Sequence, residues 1–257
     1  KSNPMGRFSV GTPRTSDGSL LFLQHMISKM EPNGSRIGIV FNGSPLFTGD
    51  SGSGESEIRK WIIENDWLET IVQLPDRMFF NTGITTYLWI VTNKKKSNRK
   101  GKVQLIDGSN YFQSMRKNLG DKGKEITPEN RDQILSTYLN FEENETCKIF
   151  ENEYFGYTKV QVEQPLVEDG QVKKDRSGNP KPDTKLRDHE RIPLKDSINE
   201  YYETEVKPHL PNSWMDRSKD KVGYEIGFVK EFYKFQKLKR TVDIENELKL
   251  LEEEISK

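Results

Sequence analysis

Apolar positions change their period several times along the chain, and each change marks an element. In "GSLLFLQHMISKM", Gly18 to Met30, residues Leu20, Leu23, Ile27 and Met30 recur at helical spacing, and Leu21 and Phe22 widen the stripe. Ser16 or Asp17 stands where a cap is needed. Asn33-Gly34 then breaks the chain. "SRIGIVFN", Ser35 to Asn42, is nearly all apolar from Ile37 to Phe41, which predicts a buried parallel strand. A glycine- and serine-dense loop follows. Behind it, "ESEIRKWIIENDW" reads as a helix and "LETIVQLP", Leu68 to Pro75, as a strand closed by proline. Helix, strand, helix, strand predicts an α/β unit.

After Pro75 the pattern shifts. "TTYLWIVTN" and "GKVQLID" are two more strands, and the basic turn "KKKSNRK" between them predicts an antiparallel hairpin at the sheet edge. The α/β portion is then expected to end near Gly108. "FQSMRKNLGDKGKEITPENRDQILSTYLNFEE" reads as mostly helical, with Thr127 as a cap and Pro128 at a first helical position. "YTKVQVEQPLVEDGQVKKDRSGNPKPDTK" reads as strand then loop, and "LKDSINEYYETEV" as helix. In "RTVDIENELKLLEEEIS", Leu248, Leu251 and Ile255 form a narrow apolar stripe flanked by Glu245, Glu247, Lys249, Glu252, Glu253 and Glu254. Such a stripe needs a partner, either its own domain or a helix of another subunit.

Composition narrows the classes. The 257 residues carry 40 basic and 40 acidic side chains, so no global field draws the chain to nucleic acid or membrane, and any basic patch is local. One cysteine, Cys147, rules out an intramolecular disulfide framework and fits a reducing compartment. No apolar run nears the roughly 20 residues of a membrane span. The opening "KSNPMGRFSVGTPR" has neither an initiator methionine at residue 1 nor the apolar core of a signal peptide. A cytoplasmic protein, part of a longer one, is expected.

The glycine loop Gly49-Asp-Ser-Gly-Ser-Gly54 has the look of a phosphate cradle. It lacks the lysine that a Walker loop needs, and Asp50, Glu55 and Glu57 would repel phosphate. A mobile connection or a loop against a substrate groove are the other readings. "NPMG", Asn3 to Gly6, resembles the amino-methyltransferase motif [NDS]-P-P-[FYW] only in part and reads as ordinary loop. Phe79 and Phe80 precede Asn81-Thr82-Gly83 at a strand-to-strand connection; an aromatic there can stack on an extruded base, or both can be core. Lys94, Lys95, Lys96, Arg99, Lys100 and Lys102 have no acid among them and suit either phosphate contact or a solvated turn. His25, His189 and His209 are scattered, without metal-ligand spacing. Glu69, Asp76 and Asp107 sit at strand ends, where carboxylates catalyse or simply cap.

Taken together, "DGSLLFLQHMISKM", "IVFNGSPLFTGDSGSGESEIRKWIIENDWLETIVQLP", "FFNTGITTYLWIVTNKK", "GKVQLID", "FGYTKVQVEQPL" and "KVGYEI" resemble the methylation subunit of type I restriction-modification systems, in that family's order. The resemblance implies an adenine-N6 DNA methyltransferase using S-adenosylmethionine. It implies assembly on DNA with a specificity subunit that chooses the target, a second methylation subunit and, in the full complex, a restriction subunit. The family's cofactor motif and its N-P-P-[FY] motif are absent here and belong before Lys1. Gly227 stands where the family usually has proline.

The implied fold is α/β: residues 1–110 are the C-terminal part of a Rossmann-like class I methyltransferase sheet with an edge hairpin, and residues 111–257 a mostly helical extension for assembly. Under the resemblance Phe79 or Phe80 stacks on the flipped adenine, with Asn81, Thr82 and Gly83 as neighbours. Lys94, Lys95, Lys96, Arg99 and Lys100 are candidates for DNA phosphate, and Leu248, Leu251 and Ile255 for the subunit interface. The piece alone is expected to be inactive, with no metal and no cofactor of its own. A non-catalytic interaction module and a general DNA-binding protein acting through Lys94 to Lys102 are the alternatives.

Overall fold

The computed structural model describes residues 6–235 and 241–255. Asn3, Pro4 and Met5 of "NPMG" lie outside them, as do the side chains of Glu247, Lys249, Glu253 and Glu254.

Helix α1 (Ser19–Ile27) buries Leu20, Leu23 and Ile27, while Asp17 Oδ1 accepts the Ser19 amide at 3.1 Å. Strand β1 (Arg36–Phe41) and the single turn α2 (Ser44–Phe47) lead to α3 (Gly54–Glu64). Ser53 caps α3 by accepting the Ser56 amide at 3.3 Å, and Glu55 and Glu57 sit in its first turn, where the helix dipole favours acids. Strands β2 (Leu68–Gln73), β3 (Tyr87–Thr92) and β4 (Lys102–Asp107) follow.

The main sheet has the order β1-β3-β2-β4-β7, with β7 being Cys147–Glu151. Two expectations fail here. β3 and β4 do not form an edge hairpin: β3 threads between β1 and β2, antiparallel to both, and β4 pairs in parallel with β2 on its far side. The basic turn is a crossover past the start of β2. Its physical cause is ionic: Lys95 Nζ donates to Asp66 Oδ1 at 2.6 Å, and Arg99 Nε lies 3.9 Å from Glu69 Oε1, so the two basic residues fasten the crossover beside the beginning of β2. Trp89 and Val91 on β3 are also fully buried, as a central strand requires. Second, among the described residues β1 lies at the sheet edge and pairs in antiparallel with β3, where a buried parallel strand was expected; its burial alternates and Val40 is 45% exposed.

Successive residues of a strand face opposite sides. Val103 and Leu105 pack with α1 and α3, whereas Ile106 packs with Val72, Cys147 and with Ile134 and Tyr138 of α4 (Pro128–Asn140). Helices thus cover both sheet faces. Thr127 caps α4 in a reciprocal pair with Asn130, and Pro128 opens it.

Before α4, β5 (Gln113–Leu119) and β6 (Lys122–Glu125) form an antiparallel hairpin where helix was expected. The stretch is polar on both faces, so no apolar stripe fixes a helix, and Gly120 at φ +64 makes the turn. Beyond it, β8 (Gly156–Glu163) is flanked by β11 (Asp188–Pro193) and β12 (Trp214–Tyr224) in a second sheet, and β9 (Val167–Glu168) pairs with β10 (Gln171–Val172). Helices α5 (Ile198–Tyr201), α6 (Phe228–Phe232) and α7 (Thr241–Ile255) are the remaining α-helices among the described residues. Beyond residue 110, strand and helix are about equal in extent, so the extension is not mostly helical. No helix among the described residues is long and apolar enough to cross a membrane.

Candidate nucleic-acid interface

Strands β1, β2 and β4 run in one direction, so their carboxyl ends share one rim of the sheet. Open α/β sheets bind ligands outside that rim. The Phe79–Gly83 loop leaves it from the end of β2. A bridge between Phe79 and Thr82 closes a tight turn, and Asn81 takes the left-handed conformation at φ +54 that asparagine tolerates. The turn keeps both aromatics out of the core: Phe79 is 42% exposed and Phe80 62%. Ile84 beside them is also exposed. Exposed aromatic faces clustered on a rim can accept a flat partner.

The basic crossover goes elsewhere. Thr92 and Lys102 belong to the opposite rim, beside Arg36 and the start of β2. Six residues at about 3.3 Å each separate the rims by roughly 20 Å. Lys95 and Arg99 are buried in ion pairs and are unavailable to a phosphate. Lys94 is exposed but bends back to the Asn33 carbonyl at 3.0 Å; Lys96 and Lys100 alone of the five project freely. Burial pulls the Lys95 ammonium below its ordinary value against the opposing pull of Asp66.

The glycine loop is packed against the rest of the fold. Gly49 and Gly52 adopt positive φ, and a Cβ on Gly54 would sit 1.9 Å from the Thr12 carbonyl. Glu55 Oε1 accepts the Arg14 amide at 2.8 Å, and Asp50 pairs with Lys159 and Arg191. Arg59 reaches back to the carbonyls of Pro45 and Thr48 at 3.1 and 2.8 Å. A phosphate finds the helix start already filled by the chain's own backbone.

The strand-end carboxylates are engaged structurally. Glu69 is fully buried, accepting from Tyr138 Oη at 2.9 Å and pairing with Arg36 at 3.2 Å; Asp107 accepts the Ser109 amide; Asp76 pairs with Lys124. His25 bonds to Arg7. Among the described residues no group of three or more histidine, cysteine or carboxylate side chains could hold a metal. On α7, Leu248, Leu251 and Ile255 are 55%, 53% and 85% exposed, so this stripe is not packed on its own domain.

One element escaped the sequence reading. The β5–β6 hairpin stands on the same rim as Phe79 and Phe80 and carries Arg116, Lys117, Lys122 and Lys124. The signal was present in "NLGDKGKE", a glycine-rich turn between polar runs, but polar strands lack the alternation that reveals strands.

Residues 1–163 match the family model described as N-6 DNA Methylase. The chain is 30% identical over 171 residues to the type I restriction enzyme MjaIX methylase subunit of Methanocaldococcus jannaschii, an alignment covering 65% of this chain and 28% of that protein. It is 40% identical over 101 residues to the HindI methylase subunit of Haemophilus influenzae, covering 39% of this chain and 22% of that protein. A crystal structure of a type I restriction-modification methyltransferase subunit from Streptococcus thermophilus superposes with a TM-score of 0.51 at 27% identity, covering 59% of this chain and 31% of that one. The chain thus spans less than a third of the length of these relatives.

Proposed function

The chain belongs to the N-6 DNA methylase family, and from that premise we propose that it forms the later strands of the methyltransferase sheet, and the extension behind them, in a type I adenine-N6 DNA methyltransferase subunit. Its part in the reaction is to receive the target base. The N6 amino group lies inside the duplex and has to be swung out before it can attack a methyl group, and an aromatic face offsets the stacking lost on extrusion. Phe79 or Phe80 supplies that face, with Asn81, Thr82 and Gly83 lining its edge. The observation that carries this reading is the solvent exposure of both phenylalanines on the carboxyl rim of the sheet.

Proton loss from the amino nitrogen accompanies transfer of the methyl group, and positioning contributes most of the rate. The methyl donor in this reading, S-adenosylmethionine, does not fit the glycine-rich loop from Gly49 to Gly54, because Thr12 occupies it and acids flank it. The reading therefore assigns donor binding and the catalytic N-P-P-[FY] loop to other parts of the complete subunit. Calorimetry on this chain is expected to give no heat with S-adenosylmethionine; micromolar binding would contradict that assignment. The exposed stripe of α7 favours an assembly role beside the helices of a specificity subunit. A second methylation subunit and a restriction subunit complete the proposed complex.

The deciding experiment substitutes Phe79→Ala and Phe80→Ala singly in a complete methylation subunit. Stacking on one base is worth about 1–3 kcal/mol, so one of the two variants is expected to lose about tenfold or more in methylation rate. Full activity in both would leave only an interaction module.

A further inference from the structure

We infer that the β5–β6 hairpin is a phosphate-binding arm that grips the DNA strand beside the extruded base; the inference rests on the base-receiving role of the Phe79–Gly83 loop. The hairpin and that loop are built as one unit. The Arg77 carbonyl accepts the amides of both Gly123 and Lys124, at 3.1 and 3.3 Å, and Arg77 Nε donates to the Asp121 carbonyl at 3.2 Å. Asp76 pairs with Lys124 at 2.5 Å. Lys122 Nζ stands 5.9 Å from the centre of the Phe80 ring. A Cβ on Gly123 would meet Arg77 Nη2 and Asn118 Oδ1 at 2.9 Å, so the Arg77 side chain lies directly against the hairpin.

The charges are then pushed outward. Ser114 pairs with Lys124 and Leu119 with Lys122, so Met115 to Asn118 all face the single residue Gly123 as a bulge. Arg116 and Lys117 lie on that bulge, exposed, and form no ion pair among the described residues. Bulges re-aim side chains and end ladder pairing. In a chain of zero net charge, such a basic group on one rim is a local electrostatic footprint. The crossover at Lys94 to Lys100 cannot serve the same strand segment, since it lies on the opposite rim. Duplex backbone next to a flipped nucleotide presents phosphates and an unstacked base together, which matches cations beside exposed aromatics.

The test uses the complete modification complex, a duplex with 2-aminopurine at the target adenine, and the double variant Arg116→Gln, Lys117→Gln. Each phosphate contact contributes about 0.9 to the slope of log affinity against log salt. The slope is expected to fall by about two, with equal loss of affinity on target and non-target duplexes. The charge-conserving variant Arg116→Lys, Lys117→Arg is expected to keep the wild-type slope and shows that the fold is intact. A wild-type slope in the double variant overturns the inference, and so does lost subunit assembly with the slope unchanged. Failure of the base-receiving role reads differently: Phe79→Ala and Phe80→Ala would both retain 2-aminopurine fluorescence enhancement, whatever the hairpin variant does to the slope.

Discussion

Arg59 and Tyr224 are 165 positions apart in the chain, yet Arg59 Nε donates to the Tyr224 carbonyl at 2.6 Å. With its bonds to Pro45 and Thr48, one guanidinium joins α3, the glycine loop and the second sheet. Burial pulls its pKa down to about 10, against the opposing charges of Glu225, Tyr157 and Glu55, so it remains a cation at neutral pH. Arg59→Met is expected to strand four carbonyls, those of Tyr224, Pro45, Thr48 and Gly49. Each unpaired buried group costs about 1–3 kcal/mol, so a loss of about 3 kcal/mol or more is expected in urea unfolding of the chain. A loss below about 1 kcal/mol would mean that water replaces the guanidinium.

Arg99 belongs to the fold. Its guanidinium donates to Gln104 Oε1 at 2.9 Å and lies over the Tyr138 and Phe141 rings. Arg99→Ala leaves the buried Glu69 carboxylate with a partly exposed Arg36 as its remaining charge partner. Removing one member of a buried pair costs about 3–5 kcal/mol, so its melting temperature is expected to drop. Lys96→Ala and Lys100→Ala are expected to stay within about 0.5 kcal/mol of the parent. Equal melting temperatures for all three would refute this division.

Asp66 gives the chain an acid-sensitive joint. Burial alone would raise its carboxyl, but the Lys95 hydrogen bond, the Gly101 amide, Asn152 and the Lys95 charge outweigh burial and hold it below its usual value. A folded pKa below the unfolded one means stability present above about pH 4 and lost as pH falls through the lower, folded value. Unfolding midpoints measured from pH 6 downward are expected to fall less steeply below pH 4 in Asp66→Asn than in the parent. Parallel profiles would show that Asp66 does not contribute.

The α7 stripe makes a prediction of the opposite kind. Leu248→Ser with Leu251→Ser removes two exposed leucines, so the melting temperature of the chain is expected to stay the same. Co-purification with a specificity subunit is expected to weaken. A lowered melting temperature with assembly intact would place the stripe inside the fold.

Local chemistry was legible and long-range pairing was not. The Thr127 cap with Pro128, the α1 stripe of Leu20, Leu23 and Ile27, and the missing lysine of the glycine loop are written within a few residues. The insertion of β3 is not, because Leu88 and Ile90 look equally fit to pair with either neighbour and the choice is made by Asp66 and Glu69 fastening the crossover. Exposure of Phe79 and Phe80 depended on a left-handed Asn81 that composition does not announce. The hairpin was hidden because its strands are polar on both faces.

The central position of β3 carries a cost in time. Until Tyr87–Thr92 leaves the ribosome, the facing edges of β1 and β2 have no strand between them and stay open. The join between β1 and β2 therefore closes only when β3 is made. A nascent chain halted before Tyr87 is expected to leave residues 36–73 open to protease, whereas one extended past Asp107 is expected to gain protection across residues 36–107. The aromatic loop is thus made while the facing edges of β1 and β2 are still open.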